Sequence, residues 1–522
     1  MESNPRNKKR KTVKKLMGNH MPNNSENYLG CVQECLNVLM EYGTDRYGPK
    51  HLPILVSILD VESRNCPQDP EPLDEQWRVQ RRGRRNPAGA NMLMDMSTLK
   101  TMRLLSNLTG NGSTAEFAHQ YMDYYMRHLV DQKGLFWWGW HRHYDVYKDE
   151  MDGHGGNVHE LHAMNCIAWD ALWEINPKAV QKEIEAIWQW HVIDKETGEI
   201  DRHDSGKQGC DFSMSSGAFI YAFTFMHSHT GDKIWQDRAR LLATYYWNRR
   251  NQATDLFPDR PNAGSDRFDG SHFVTAIVGL HCHALLKSYQ LSGDQLLRDY
   301  AIAYLMAYAK FGFNHESGKF WGSLNLDGSP VPGPRIKEGY ASQEPRGHLD
   351  LWGPYICGYQ YPIYAAQAYI YAYHLTKEED FLTAAKRFAD CLKGHLPTQG
   401  CLEESWYEDY ALQYAKHGTY AGKNGRSISF LIHLYVMTQD AEYLDFAKDM
   451  ADEAISKLYH QGLFRGHPAK PYYEATDGVG FLLYALLQLN QVLKHPQDVL
   501  AKKEIILNQG ETQETIIGLD NW

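Results

Sequence analysis

The sequence has no unbroken apolar run of about 18 residues, so nothing in it reads as a membrane-crossing helix. It has no excess of positive charge. Lys and Arg total 54 against 64 Asp and Glu, a net charge of −10 at pH 7, which excludes a general nucleic-acid binder. It has no CxxC pair among nine cysteines, an odd number scattered along 522 residues, which reads as reduced core thiols rather than a disulfide framework. Met1–Gly18 carries seven Lys or Arg and one Glu but no apolar segment follows; His20-Met21-Pro22-Asn23-Asn24 comes next. The expectation is a disordered basic tail over 1–26, one folded domain over 27–500, a C-terminal extension over 501–522, and cytoplasmic residence.

What is present is a core-forming composition, 43% hydrophobic with 23% charged residues, which excludes wholesale disorder. The chain also carries 33 Tyr, 14 Trp and 25 His, side chains that stack on sugars, ligate metals or move protons. The organising signal is a repeat. Amphipathic helical stretches end in a short polar turn marked by Thr109, Thr230, Ser292, Thr376 and Thr438, with gaps of 121, 62, 84 and 62 residues. The first gap is close to two 62-residue units, and Asn176-Pro177 within it starts a helix in the same way. Gly at the turn closes one helix, and Thr, Ser or Asp can cap the next. A unit near 60 residues exceeds the roughly 20–50 of common solenoids. The pattern therefore predicts an all-α fold, an (α/α) toroid of six to seven helical hairpins, with strands confined to small hairpins at its rim.

Chemistry-bearing residues concentrate in three clusters. The first is Phe136-Trp137-Trp138-Gly139-Trp140-His141-Arg142-His143-Tyr144-Asp145, the second His154-Gly155-Gly156-Asn157-Val158-His159-Glu160-Leu161-His162, and the third Thr197-Gly198-Glu199-Ile200-Asp201-Arg202-His203-Asp204. The second is not a zinc-protease HExxH, because position 163 is Ala. Two His and one carboxylate from loops at one end of a toroid suit Mn²⁺, Fe²⁺ or Zn²⁺. The Trp row reads as a sugar-stacking surface or as ordinary core.

At these residues the chain resembles the family 2 polysaccharide lyases, pectate lyases with an (α/α)7 barrel and a transition-metal site. The resemblance starts near Tyr42–Leu59 and runs through WGWH, HEL and DRH to about residue 210. It implies His141, Glu160 and His203 as metal ligands, with His143 as the alternative to His141. It implies Arg202 as the base that removes the C5 proton in β-elimination. Arg is a permanently protonated group in most settings, so Tyr144 stands as a second catalytic candidate and Arg202 as a carboxylate clamp. Departures from the family are Trp140, where a small residue is expected, the basic Arg78–Arg85 stretch and the HRH motif.

The implied cofactor is a divalent transition metal, manganese first, with zinc, iron or calcium as alternatives. The implied partner is an acidic oligo- or polysaccharide, with no nucleic acid and no membrane. Substrate contacts are expected from Trp138, Trp140, His143, Arg267, Arg346 and Tyr361, with Arg260, His272, Arg335 and Lys337 on loops at the same end. Two other enzyme classes fit the toroid. An inverting glycoside hydrolase would use carboxylates such as Asp201, Asp204, Asp350, Glu403 and Glu404. A sugar epimerase would use His159 or His203 as acid and base.

Overall fold

A computed structural model describes residues 24–68, 89–153, 155–163, 167–262, 270–333, 346–349, 362–394, 420–468 and 470–502, with short pieces at 506–507 and 514–515. The helices are α1 (Asn24–Tyr42), α2 (Met92–Thr109), α3 (Ser113–His128), α4 (Trp169–Ile175), α5 (Pro177–His191), α6 (Ser213–Thr230), α7 (Lys233–Trp247), α8 (His283–Ser292), α9 (Gln295–Phe311), α10 (Pro362–Thr376), α11 (Glu379–Gly394), α12 (Tyr420–Thr438), α13 (Ala441–Leu458), α14 (Val479–Lys494) and α15 (Pro496–Lys502). A π-helical turn, Ile277–Cys282, leads into α8.

The predicted repeat is real and its chemistry is uniform. At each marked turn the hydroxyl donates back to the carbonyl four residues earlier: Thr109 to Leu105, Thr230 to Met226, Ser292 to Ser288, Thr376 to Ala372, Thr438 to Leu434. The next residue takes the left-handed conformation, as Gly110, Gly231, Gly293, Lys377 and Gln439 do. Asp232, Asp294 and Asp440 then cap the following helices through their carboxylates. The Thr or Ser thus closes the first helix, and Asp opens the second.

These turns pair α2 with α3, α6 with α7, α8 with α9, α10 with α11 and α12 with α13. Asn176, which accepts from the Ala179 amide, joins α4 to α5. The inner helices α6, α10 and α14 are apolar all round and buried along most of their length, as helices enclosed on every side must be. Inner helices touch their neighbours around a ring: α6 with α8, the π turn with α10, α10 with α12, α12 with α14, and α14 with α2. Close contact needs small residues. A Cβ on Gly425 would lie 2.4 Å from the Leu482 backbone, and one on Gly480 would lie 2.3 Å from Ser97. Between α2 and α6, α4 is held by Arg103–Glu174 at 2.5 Å and by Trp169 and Trp173 against Phe225.

The fold is therefore an (α/α) toroid, with seven helix pairs among the described residues. The seventh pair is not a hairpin: α14 takes as its outer partner α1, from the other end of the chain. Beside it, strand β1 (Ile58–Asp60) pairs antiparallel with Tyr472–Glu474. That ladder is long-range, unlike the local rim hairpins expected. The six described cysteines, at 31, 35, 66, 210, 282 and 391, are free, and five are buried.

Candidate metal and acid–base centre

The site lies where three segments between helices meet. Strand β2 (Gly89–Ala90), strand β3 (Arg142–Asp145) and strand β4 (Glu150–Gly153) form a small sheet in the order of their numbers. Asn91, next to β2, joins this sheet to the barrel. Its Oδ1 accepts from the Leu93 amide at the start of α2, and its Nδ2 donates to the carbonyls of Gly139 and Arg142, both at 2.8 Å. The Arg142 side chain is buried and reaches Asp131 at 2.8 Å, Asp204 at 3.3 Å and the carbonyl of Asn157 at 2.8 Å. One guanidinium thus ties all three sequence clusters together.

Glu160 is placed by its backbone. It forms an isolated antiparallel bridge with His203, and its carbonyl accepts from the Trp140 amide at 3.2 Å. Gly139 (φ +119°) permits that approach, because a Cβ there would lie 2.9 Å from the Glu160 carbonyl oxygen. The Arg202–His203 loop is shaped by buried Asp201, whose carboxylate accepts from the His203 amide at 2.8 Å, the Lys207 amide at 2.8 Å and the Ser205 hydroxyl at 2.7 Å.

The carboxylate of Glu160 sits at the centre of a basic group. His141 Nε2 is 2.8 Å from Oε2, His203 Nε2 is 3.5 Å from Oε2, His162 Nε2 is 2.8 Å from Oε1, and Arg202 Nε is 3.6 Å from Oε1. Burial pushes the Glu160 carboxyl up, but Arg202, His162, His203 and the bond from His141 together hold it well below the usual range. It is therefore an anion. One ligand atom from each of His141, Glu160 and His203 lies within 4.8 Å of the others. Two imidazoles and a carboxylate so arranged, with both His rings partly open to solvent, match the donor set of a transition-metal site. The Arg202 guanidinium lies over Phe212 at 4.4 Å, which fixes its plane beside the group.

Other expected contacts fall elsewhere. Trp138 is fully buried, with Nε1 2.9 Å from Glu183 and 3.0 Å from His159, and Trp140 is buried against His162. Neither presents a ring face to solvent, so the stacking surface expected of them is replaced by core. Tyr144 directs its hydroxyl to Asp149 at 3.4 Å, where burial and that carboxylate push it up, away from a base's range. His143 is not the alternative to His141. It is buried in a second group with Asp145 and Asp152, and Lys148 lies 3.3 Å from both of those carboxylates. His159 is buried, 2.8 Å from His191, and pushed down to about 3 by burial, so no imidazole of the epimerase kind is open there. Asp204 is enclosed by Lys133 at 2.7 Å, the His159 amide and Arg142.

Arg346 is partly buried, and Arg260 is buried over Phe212 beside Arg202. Arg267, Arg335, Lys337, Tyr361, Asp350, Glu403, Glu404 and His154 lie outside the described residues. Sequence reasoning missed His162, Arg142 and Asn91. The first was visible, two residues from Glu160 in the same motif; the other two brace loops distant in sequence, for which no spacing is diagnostic.

A profile of the family described as "Periplasmic pectate lyase" matches residues 73–258 and 271–509. The pectate disaccharide-lyase of Dickeya dadantii is 26% identical over 197 residues, which is 32% of this chain and 36% of that protein. Among solved structures, a cellobiose 2-epimerase from Bacillus thermoamylovorans is 12% identical, covering 71% of this chain and 87% of its own, with a TM-score of 0.45. A family 76 glycoside hydrolase from a bovine Bacteroides thetaiotaomicron strain is 13% identical, covering 88% and 77%, also with a TM-score of 0.45. The periplasmic description of the matching family does not agree with the cytoplasmic residence expected above. Among the described residues no helix is long and apolar enough to cross a membrane.

Proposed function

The chain belongs to the periplasmic pectate lyase family, and from that premise we propose that it cleaves a pectate-like polyuronide by β-elimination. The observation that carries the reading is the convergence of His141, His203 and Arg202 on a single anionic Glu160. Elimination removes the hydrogen at C5, which is α to a carboxylate and only weakly acidic, so the reaction needs positive charge on that carboxylate and a group beside the hydrogen. We assign His141, Glu160 and His203 the holding of a divalent transition metal, manganese first; when bound, it supplies the positive charge that offsets the substrate carboxylate.

The chain's own residues do the rest. Glu160 keeps the imidazoles of His141 and His203 oriented. Arg202, its plane set by Phe212, faces the uronate unit and serves either the C5 proton, in its neutral form, or the carboxylate, through its two-pronged guanidinium. The Tyr144 hydroxyl, turned to Asp149, drops out of the mechanism. Among the described residues no comparable observation favours hydrolysis, because Asp201 and Asp204 are committed to shaping and bracing loops.

The test is incubation with polygalacturonate, following the ultraviolet absorbance of the C4–C5 double bond. We expect absorbance to rise, to stop in excess chelator and to return with Mn²⁺. Reducing ends without that absorbance would establish hydrolysis instead. Full activity in chelator would remove the metal from the proposal.

A further inference from the structure

The hairpin of β3 and β4 carries a second group of metal-ligating side chains that the proposed chemistry does not use. His143 and Asp145 are two residues apart on β3 and so share a face of the strand. Asp152 stands directly across from His143 on β4, and Glu150 directly across from Asp145. One ligand atom from each of His143, Asp145 and Asp152 lies within 4.8 Å of the others. Each aspartate divides its oxygens. Asp145 Oδ1 accepts from the amides of Tyr147 and Lys148 at 3.0 and 3.1 Å, and Asp152 Oδ1 accepts from the amide of Gly153 at 2.7 Å. The backbone thus orients both carboxylates, as supporting hydrogen bonds do around metal ligands. The two Oδ2 atoms face one cation, the Lys148 ammonium, 3.3 Å from each and 3.7 Å from Glu150. Three carboxylates gather around a single positive charge carried on an exposed side chain.

The independent sign is His143. Its side chain is only 8% exposed, and neither ring nitrogen has a hydrogen-bond partner among the described residues. Buried polar groups are rarely left so, and each one that is needs a reason. Nε2 lies 3.9 Å from Asp152 Oδ2, too long for a hydrogen bond. It is short enough for one ion to touch both, since zinc–nitrogen and zinc–oxygen bonds are each about 2.0–2.2 Å. One imidazole and two carboxylates suit Zn²⁺ or Mn²⁺, whereas Ca²⁺ and Mg²⁺ favour oxygen alone. We propose that His143, Asp145 and Asp152 form a second divalent transition-metal site, a clamp across the β3–β4 hairpin, and that the Lys148 ammonium holds the carboxylates until the metal displaces it. β3 begins immediately after His141, so the clamp steadies the strand that follows that residue. The inference needs neither the lyase reading nor an ion at Glu160.

The test uses the full chain, freed of metal by chelator, with Zn²⁺ as the probe at buffered free concentrations and bound zinc counted by atomic emission after dialysis. Asp152→Asn and His143→Gln should each hold one zinc per chain fewer than wild type. Lys148→Met should hold as many, with one bound about tenfold more tightly, the size of one charge-assisted contact removed from the competition. Glu160→Gln disables the first site and should leave the second intact. Zinc should still raise its melting temperature, and adding Asp152→Asn should abolish that rise. Melting temperatures without zinc identify a variant that fails to fold; if His143→Gln does, Asp152→Asn, at a side chain 36% exposed, carries the count. Equal zinc counts in wild type and Asp152→Asn would overturn the site, and unchanged affinity in Lys148→Met would overturn the displacement. A count that responds to Asp152 but not to Glu160 would keep this site and overturn the first.

Discussion

Glu160 and His203, 43 residues apart, face each other across a single antiparallel backbone bridge. Two side chains fixed in this way need no helix or long strand to keep their spacing. The bridge also places Arg202 beside the same carboxylate, since it is the residue next to His203 in the loop that Asp201 shapes. Three of the groups in the proposed chemistry therefore depend on one short stretch of backbone pairing.

Replacing Arg202 by Lys keeps the charge and removes the planar fork. We expect kcat on a polyuronide to fall by a factor on the order of 10² or more, with the melting temperature little changed, because positioning and proton-transfer contributions are each typically of that size. Steady-state kinetics and a thermal melt on the one variant decide it. Unchanged kcat would take Arg202 out of the reaction.

Gly139→Ala should damage the site from beneath. The added Cβ meets the Glu160 carbonyl oxygen at 2.9 Å, and the backbone there has φ +119°. A cost of about 1–3 kcal/mol is expected from the strain alone. Chemical denaturation measures it, and Mn²⁺ titration of the same variant should show weakened binding. A variant with wild-type stability would mean the loop has room that the geometry denies it.

Glu183 gives a pH signature. It is buried, accepting from the Phe136 amide and from Trp138 Nε1, and burial pushes its carboxyl up to about 8. Between its ordinary value of 4.5 and about 8 the folded protein holds this proton more tightly than the unfolded chain does, so stability falls as pH rises through that window. His159 and His191, pushed down to about 3 by burial, act with the opposite sign, but only below their ordinary 6.5. The range from about 6.5 to 8 therefore isolates the carboxyl from the two imidazoles. Asp95, also raised to about 8, adds to the slope in every variant. Glu183→Gln should flatten the decline of denaturation midpoint with pH in that range; an unaltered slope would show that Glu183 is ionised in the fold.

Trp138→Phe tests the reassignment of the Trp row. With the indole in the core and bonded to Glu183 and His159, the change should cost about 1–3 kcal/mol of stability and leave KM for polyuronide within about twofold. A large rise in KM without destabilisation would return Trp138 to the substrate surface.

The ring was legible because its turns repeat one piece of local chemistry, Thr or Ser folding back onto the helix it ends, which a sequence displays directly. His141, Glu160 and His203 were legible as a resemblance of motif order, and the structure brings them together. Exposure was not legible. Trp138 and Trp140 flank a glycine in what looks like a loop, yet the bridge from Glu160 and the caps on Asn91 draw that loop under the rim. Tyr144 and His143 failed for a related reason. Both lie on β3, whereas His141 precedes that strand, so the strand's pairing with its neighbours carries them to Asp149 and Asp152.

Because α14 finds its outer partner in α1, the circle is closed by helices far apart in the chain, and the neighbouring α13 joins the closure, with the Tyr28 hydroxyl donating to its Asp452, 424 positions away. A nascent chain can assemble hairpin after hairpin, but until α14 emerges each growing arc ends in an inner helix with one apolar flank exposed to water. Ring closure at such separation is entropically late and leaves long-lived sticky intermediates. Ribosome-bound arcs of this protein should therefore be captured by chaperones, and release should coincide with the appearance of the last inner helix rather than with any earlier hairpin.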